Sequence, residues 1–237
     1  MVMGRLLIFL KYPLPGRVKT RLAEVIGHHV ACDVYRTCSE LTLERLNALH
    51  DQITLYVSPP EALTRIRQWV GPAWMIRVQQ GRTLGKRLAQ ATQRAFAEGA
   101  TRVVVIGTDS PWLVPADIAA AFNALEQADV VVGPTEDGGY YLIGLSKPVP
   151  ELFDGVAWSS PRVYVQTVAN AQALSLSVHE LPRGYDLDHL EDVERFLEEE
   201  RGRGPLTAAV QVMQRIIQGT RYFSRFEKYQ VLRTRAS

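Results

Sequence analysis

Lys11-Tyr12-Pro13-Leu14-Pro15-Gly16-Arg17-Val18-Lys19-Thr20-Arg21-Leu22 places two prolines, a glycine and four cations directly after the apolar run Leu6-Leu7-Ile8-Phe9-Leu10. That pattern reads as a strand running out into a charged loop. In an open α/β fold, the loop at the carboxyl end of the first strand is where phosphorylated ligands bind, because backbone amides and the following helix N-terminus point at the anion. Lys11, Arg17, Lys19 and Arg21 supply the charge. A solvated basic loop is the alternative reading.

Outward from this stretch, strands alternate with helices. Apolar, β-rich runs occur at Arg5 to Leu10, Gln52 to Val57, Trp74 to Val78, Arg102 to Gly107 and Asp129 to Gly133. Leu84, Leu88, Ala91 and Ala95 recur at helical spacing, and Pro115 to Gln127 opens with a proline suited to a first helical turn. This rhythm predicts an α/β fold with a mostly parallel sheet covered by helices on both faces. After Gly133 the pattern changes: Tyr140 to Leu145 and Leu174 to Leu181 read as strands separated by irregular sequence and a helix near Pro161 to Ala173. A sheet that becomes mixed in its second half follows.

With 237 residues, 46% hydrophobic and 22% charged, the chain can bury one sizeable core. Cys32 and Cys38 have no partner ligands nearby, so packing positions in a reducing cytosol are expected. None of the five histidines shows metal spacing. The first apolar run stops at Lys11, too short for a signal peptide or a membrane span, and a cytoplasmic protein is expected.

Val103-Val104-Val105-Ile106-Gly107-Thr108-Asp109-Ser110-Pro111 reads as a strand buried on both faces, with Gly107 letting the chain turn so that Asp109 emerges beyond it. A carboxylate there suits magnesium, which takes one or two carboxylates plus water and substrate phosphate. Alternatively, Asp109 and Ser110 cap the helix beginning near Pro115. Asp137-Gly138-Gly139-Tyr140-Tyr141 reads either as a close approach of backbone to a ligand, with Asp137 accepting from its hydroxyls, or as a plain turn into a strand. In Tyr185-Asp186-Leu187-Asp188-His189, Asp186 and Asp188 share a direction if extended and would complete a metal site with Asp109; Asp188 would equally cap a helix from His189 to Glu200. Trp158-Ser159-Ser160-Pro161 reads as a loop with serine caps, and Trp158 as the wall of an acceptor site is the alternative.

Taken in order, the first loop, Gln79 to Leu88, Ile106 to Pro111, Gly133 to Leu145 and Trp158 to Val163 resemble the glycosyltransferase-like, arsenosugar-biosynthesis-type members of the nucleotide-diphospho-sugar transferase superfamily. The first loop is also similar to that of 2-phospholactate guanylyltransferases and, more distantly, molybdenum cofactor guanylyltransferases. The resemblance covers about residues 4 to 200 and implies a Rossmann-like GT-A fold. It implies that Lys11, Pro15, Gly16, Lys19, Arg21, Gly81, Gly85 and Thr108 bind the nucleotide, with Lys19 and Asp109 catalytic. It also implies that Asp137, Gly138, Gly139 and Tyr140 line the acceptor site, and that Asp109 with Asp188, or Asp186, holds Mg2+ or Mn2+. Arg82 and Lys86 stand where these relatives are acidic, and His189 where they commonly have threonine.

The expected activity is metal-dependent transfer of a sugar from a nucleotide-sugar to a small acceptor. The alternatives are transfer of a nucleotidyl group from an NTP to a phosphorylated molecule with release of pyrophosphate, and a non-catalytic nucleotide-binding protein. The lysine-rich loop favours the NTP, because a triphosphate needs more countercharge than a diphosphate. The expected organisation is a transferase domain over 1–200 and a basic extension over 201–237. Eight Lys or Arg against Glu227 give the extension +7, against −5 for the rest. No nucleic-acid signature accompanies this charge, so no nucleic-acid partner is expected. Leu206, Val210, Met213 and Ile217 form one helical face, and Gly219 stands where the helix would stop. Residues 205–229 are expected to dock on their own subunit or on a second copy in a homodimer rather than on a membrane.

Overall fold

A computed structural model describes residues 4–219. Within them the chain divides into two compact units, one of residues 4–12 with 42–186 and one of residues 13–41 with 187–219. The strands are β1 (Gly4–Lys11), β2 (Ile53–Ser58), β3 (Met75–Val78), β4 (Arg102–Ile106), β5 (Val130–Pro134), β6 (Tyr140–Leu145) and β7 (Val178–Glu180). The helices are α1 (Thr20–Ile26), α2 (His28–Arg45), α3 (Leu63–Val70), α4 (Leu84–Ala97), α5 (Pro115–Ala124), α6 (Val163–Ala173), α7 (Leu190–Arg203) and α8 (208–219).

All seven strands belong to the first unit and form one sheet of order β3-β2-β1-β4-β6-β5-β7. β1 pairs parallel with β2 and β4, and β2 parallel with β3. β6 is inserted antiparallel between β4 and β5, and β7 returns parallel to β5. The fold is therefore α/β with a mixed, mostly parallel sheet.

Strand side chains alternate between two cores. Leu6, Ile8 and Leu10 of β1 join Val104 and Ile106 of β4 with Ile66 of α3 and Ile118 of α5. Leu7, Val103 and Val105 join Leu88, Ala91 and Ala95 of α4 and Ala171 of α6. Both faces of β1 and β4 are thus covered by helices, which is why these runs are continuously apolar. Each fully buried Leu, Ile or Val stabilises by about 1.5–3 kcal/mol relative to exposure.

Three local expectations change. Leu84, at the start of the α4 stripe, is exposed. The helix from Pro115 stops at Ala124, short of Gln127. The strand expected over Leu174 to Leu181 shrinks to Val178–Glu180, because Leu174 ends α6 and Ser175 turns the chain at φ 54.

The second unit holds the loop 13–19, α1, the first part of α2, α7 and α8. Its buried positions include Leu22, Val34 and Leu41 on the first two helices and Val193 and Phe196 on α7. On α8, Val210, Met213 and Ile217 are buried as the helical spacing implies, and Leu206 just before it is partly buried. The docking expected of residues 205–229 extends beyond Gly219, outside the described residues. Among the described residues, no helix is long and apolar enough to cross a membrane.

Candidate functional site

In the first unit, β4 delivers Asp109 to a loop past its carboxyl end. Thr108 and Ser110 are buried there and Asp109 is half-buried. Gly107 does not adopt a positive φ, and a Cβ at that position would meet nothing nearer than 3.9 Å. The turn therefore does not depend on glycine. Neither Asp109 nor Ser110 caps α5: Val114 is the N-cap, and Asp117 Oδ2 accepts its backbone N–H at 2.9 Å. The capping explanation of the Asp109-Ser110 pair is thereby removed.

The same loop is sewn to the segment 182–186. Ser110 Oγ donates to Asp186 Oδ1 at 2.5 Å, and Trp112 Nε1 donates to Tyr185 O at 2.8 Å. The Trp112 ring stacks on Tyr185 and meets Tyr141 edge-on. Gly184 makes this approach possible, since a Cβ there would lie 2.4 Å from Trp112 Cζ2. Backbone bonds from Gly184 N to Pro134 O and from Glu136 N to Gly184 O hold the segment at the end of β5. Asp186 is thus fixed against the residue next to Asp109. From sequence Ser110 was read only as a helix cap, and Trp112 and Gly184 were not singled out, because the partners that Ser110 and Trp112 bond lie more than seventy residues away.

Elsewhere in this unit Lys11 is exposed at the end of β1. Gly81 has φ 122 and its carbonyl accepts from Arg87 Nε at 3.0 Å; Arg87 also donates to Gln79 Oε1, and Gln79 Nε2 to Tyr56 O at 2.9 Å. Thr83 caps α4 by accepting Lys86 N, and the Lys86 ammonium pairs with Asp154 at 2.8 Å. Gly85 is buried where a Cβ would stand 2.7 Å from Trp158 Nε1, so packing alone accounts for that glycine.

The Asp137 segment is a built turn. Asp137 Oδ1 accepts from Thr135 Oγ1 at 2.6 Å and from Gly139 N at 3.1 Å. Gly138 has φ 86, and its missing Cβ makes room for Pro161 O, while its carbonyl accepts from Tyr164 N. Tyr140 stands edge-on to Trp158, and burial pushes its phenol well above the ordinary range. Tyr141 is likewise raised, to about 12, by burial and then by the nearby Asp117 carboxylate. Ser160 does not cap α6, whose N-cap is Arg162; its Oγ donates to Ala157 O and accepts from Arg162 N.

In the second unit, Pro15, Gly16 and Arg17 are exposed and Gly16 has φ 76. Lys19 heads α1 with φ 46 and ψ 48, a left-handed conformation that costs a non-glycine residue about 1–2 kcal/mol. Such outliers cluster where function requires a fixed geometry. Its side chain is buried, and its ammonium lies 3.2 Å from Asp188 Oδ1. Arg21 Nη1 reaches Asp188 Oδ2 at 3.4 Å. Asp188 does not cap α7, as one reading of the sequence had it. His189 is the N-cap, and Asp192 reaches back to accept the N–H groups of Asp188 and His189 at 3.1 and 2.7 Å. Asp192, four residues beyond Asp188 in the first turn of α7, carries the capping-box signal that sequence reading missed.

Among the described residues, no group of three or more His, Cys, Asp or Glu is placed to hold a metal. A closed structural metal centre does not fit. What fits is a hard cation that takes one or two carboxylates and completes its shell with water and substrate phosphate. Asp109, Asp186 and Asp188 each carry carboxylate oxygens of the kind such a cation takes.

The model of the family described as "Uncharacterized protein conserved in bacteria (DUF2064)" matches residues 42–160. A solved protein of Desulfovibrio desulfuricans assigned to the nucleotide-diphospho-sugar transferases is 35% identical, superposes with a TM-score of 0.84, and covers 93% of this chain and 99% of its own. The phosphoenolpyruvate guanylyltransferase of Chloroflexus aggregans is 27% identical over 148 residues, 61% of this chain and 71% of that protein. A Mycobacterium tuberculosis protein solved in complex with manganese shares the fold at 18% identity, with a TM-score of 0.52 over 83% of this chain and 98% of that one.

Proposed function

The chain belongs to the DUF2064 family of uncharacterised bacterial proteins, and we propose that it is a divalent-metal-dependent transferase acting on an activated nucleotide. Its relatives support a transferase of the nucleotidyl- or sugar-transferring kind. The observation that carries the finer reading is Lys19: a buried ammonium, on a strained left-handed residue at the head of the helix after β1, converging with Arg21 on one carboxylate. Two cations fixed in this way suit the oxygens of a polyphosphate.

Nucleotidyl transfer from a triphosphate is the reaction we favour. The cations of the first loop match a triphosphate better than a diphosphate, and the Chloroflexus relative is a guanylyltransferase. In this reaction an acceptor oxygen attacks the α-phosphorus, the bond to the β-phosphate bridging oxygen breaks with its electron pair, and pyrophosphate leaves. Lys11, Lys19 and Arg21 neutralise charge on the departing phosphates, with Pro15, Gly16 and Thr108 shaping the nucleotide's loops. Asp109 and Asp186 would hold Mg2+ or Mn2+, which supplies Lewis-acid stabilisation of the phosphoryl oxygens. We assign Gly81 to the nucleotide side, and Asp137, Gly138, Gly139 and Tyr140 to the acceptor; Gly85 is left to its packing against Trp158.

Sugar transfer from a nucleotide-sugar is the second reading, favoured by the Desulfovibrio relative. Phosphorus NMR distinguishes the two. The protein is incubated with Mg2+, either the four NTPs or a set of nucleotide-sugars, and a panel of phosphorylated and carboxylated small acceptors. Pyrophosphate appearing only with an NTP and an acceptor supports nucleotidyl transfer; nucleoside diphosphate appearing from a nucleotide-sugar overturns it in favour of sugar transfer.

A further inference from the structure

We propose that Asp188 is a resident counter-ion that stands in for the nucleotide's polyphosphate on Lys19 and Arg21, and that a polyphosphate binds by displacing it. The inference rests on the assignment of those two cations to phosphate made above. It gives Asp188 a role different from that of a metal ligand.

Each oxygen of the Asp188 carboxylate takes one cation, Oδ1 the Lys19 ammonium at 3.2 Å and Oδ2 an Arg21 nitrogen at 3.4 Å. Two oxygens of one anion bridging two cations is the arrangement a phosphate group makes. Exposure is graded outward: the Lys19 side chain is 1% exposed, that of Asp188 33% and that of Arg21 52%. A buried ammonium left without an anion is strongly unfavourable, so some anion must accompany Lys19 at all times. In the ligand-free protein Asp188 is one such anion.

The surroundings suit an exchange. The left-handed backbone of Lys19 sets the direction of its Cα–Cβ bond without help from Asp188, and the side chain it directs is buried. Asp192 holds the backbone N–H groups of Asp188 and His189. The partly exposed Asp188 carboxylate therefore moves out by side-chain rotation alone, without disturbing the start of α7. Displacement has a thermodynamic consequence. If Asp188 sits on the cations at least about nine-tenths of the time, a polyphosphate binds about tenfold more weakly than the vacated cations would allow.

The test uses inorganic tripolyphosphate as the probe, in EDTA, with affinity measured by calorimetry on the full chain. Asp188→Asn is expected to bind it about tenfold more tightly than the wild type, with a steeper loss of affinity on adding salt. A metal ligand would behave differently: its removal leaves metal-free binding unchanged and weakens only binding in Mg2+. Equal or weaker metal-free binding by Asp188→Asn therefore overturns the proposal. Because that variant removes the charge opposite a buried lysine, the comparison is repeated in a Lys19→Gln background, where no buried charge needs a partner. There Asp188→Asn must still tighten binding through Arg21, by a smaller factor; equal binding by Lys19→Gln and the double variant overturns the proposal too. Parallel titrations with Mg-NTPs and Mg-nucleotide-sugars keep the two readings apart. Nucleotide binding by the wild type without any Asp188 effect sinks the counter-ion alone, whereas no binding of any phosphate ligand sinks both.

Discussion

Ser110 Oγ donates to Asp186 Oδ1 across 76 residues of sequence, joining the loop that carries Asp109 to the segment 182–186. A hydrogen bond to a charged group contributes about 1.5–3 kcal/mol when buried, and less for a carboxylate that is only half-buried. Ser110→Ala should therefore lower the melting temperature by a few degrees, while Ser110→Thr, which keeps the hydroxyl, should retain most of the stability. If Asp186 holds metal, Ser110→Ala also weakens Mn2+ binding in an EPR titration and Ser110→Thr restores it. Unchanged Mn2+ affinity in the alanine variant would show that Ser110 positions no ligand.

Gly184→Ala should destabilise through crowding. The new Cβ would stand 2.4 Å from Trp112 Cζ2 and 3.0 Å from Tyr141 Cδ1, and both rings are held by further contacts. Overpacking of this kind costs about 1–3 kcal/mol. Urea unfolding followed by tryptophan emission reads the loss, and an unshifted midpoint would mean that Trp112 yields freely.

The cations of the first loop divide by burial. Lys11 and Arg21 are exposed, so Lys11→Ala and Arg21→Ala should leave the melting temperature nearly unchanged and weaken nucleotide binding in a way that added salt imitates. Lys19→Ala differs, because its ammonium is buried against Asp188. Discounted for the partial exposure of Asp188 and its retained contact with Arg21, the expected loss is about 1–3 kcal/mol. Thermal unfolding of the three variants checks the division; a Lys19→Ala protein as stable as Arg21→Ala contradicts it.

Alkaline stability should be set in part by Tyr140 and Tyr141. Burial raises both phenols in the folded protein, Tyr141 to about 12, whereas unfolded tyrosine titrates at 10.0. A folded pKa raised above the unfolded one gives stability that is complete below pH 10 and is lost as pH rises towards 12. Urea midpoints should accordingly fall between pH 10 and 12, and Tyr141→Phe, which removes the titrating proton, should flatten that fall. An equally steep fall in Tyr141→Phe would assign it to other groups.

Much of the sheet is legible in the sequence because β1, β2, β4, β5 and β6 are continuous apolar runs bounded by turn residues, a local signal. The antiparallel insertion of β6 between β4 and β5 is not local, since the Tyr140 to Leu145 run says nothing of which strands flank it. β7 fails for the opposite reason: three residues at a sheet edge leave almost no periodicity to read. At the candidate site, Asp109 is legible from its place after a buried strand. The burial of Lys19 is not, because a lysine in a Pro-Gly loop reads as exposed until Asp188, 169 residues on, is known to face it. The same distance hid the division of Asp186 and Asp188, which look like one cluster in sequence yet bond to Ser110 and to Lys19 respectively.

Calorimetry on the wild type and on Asp109→Ala reads out metal-dependent handling of an activated nucleotide. NTPs and nucleotide-sugars are titrated in Mg2+ and again in EDTA. At least one of these ligands is expected to bind the wild type in Mg2+. In EDTA, and in an Asp109→Ala protein whose melting temperature is unchanged, its affinity falls about a hundredfold, equivalent to about 2.7 kcal/mol. A folded Asp109→Ala that binds the same ligand with wild-type, magnesium-dependent affinity would contradict that expectation.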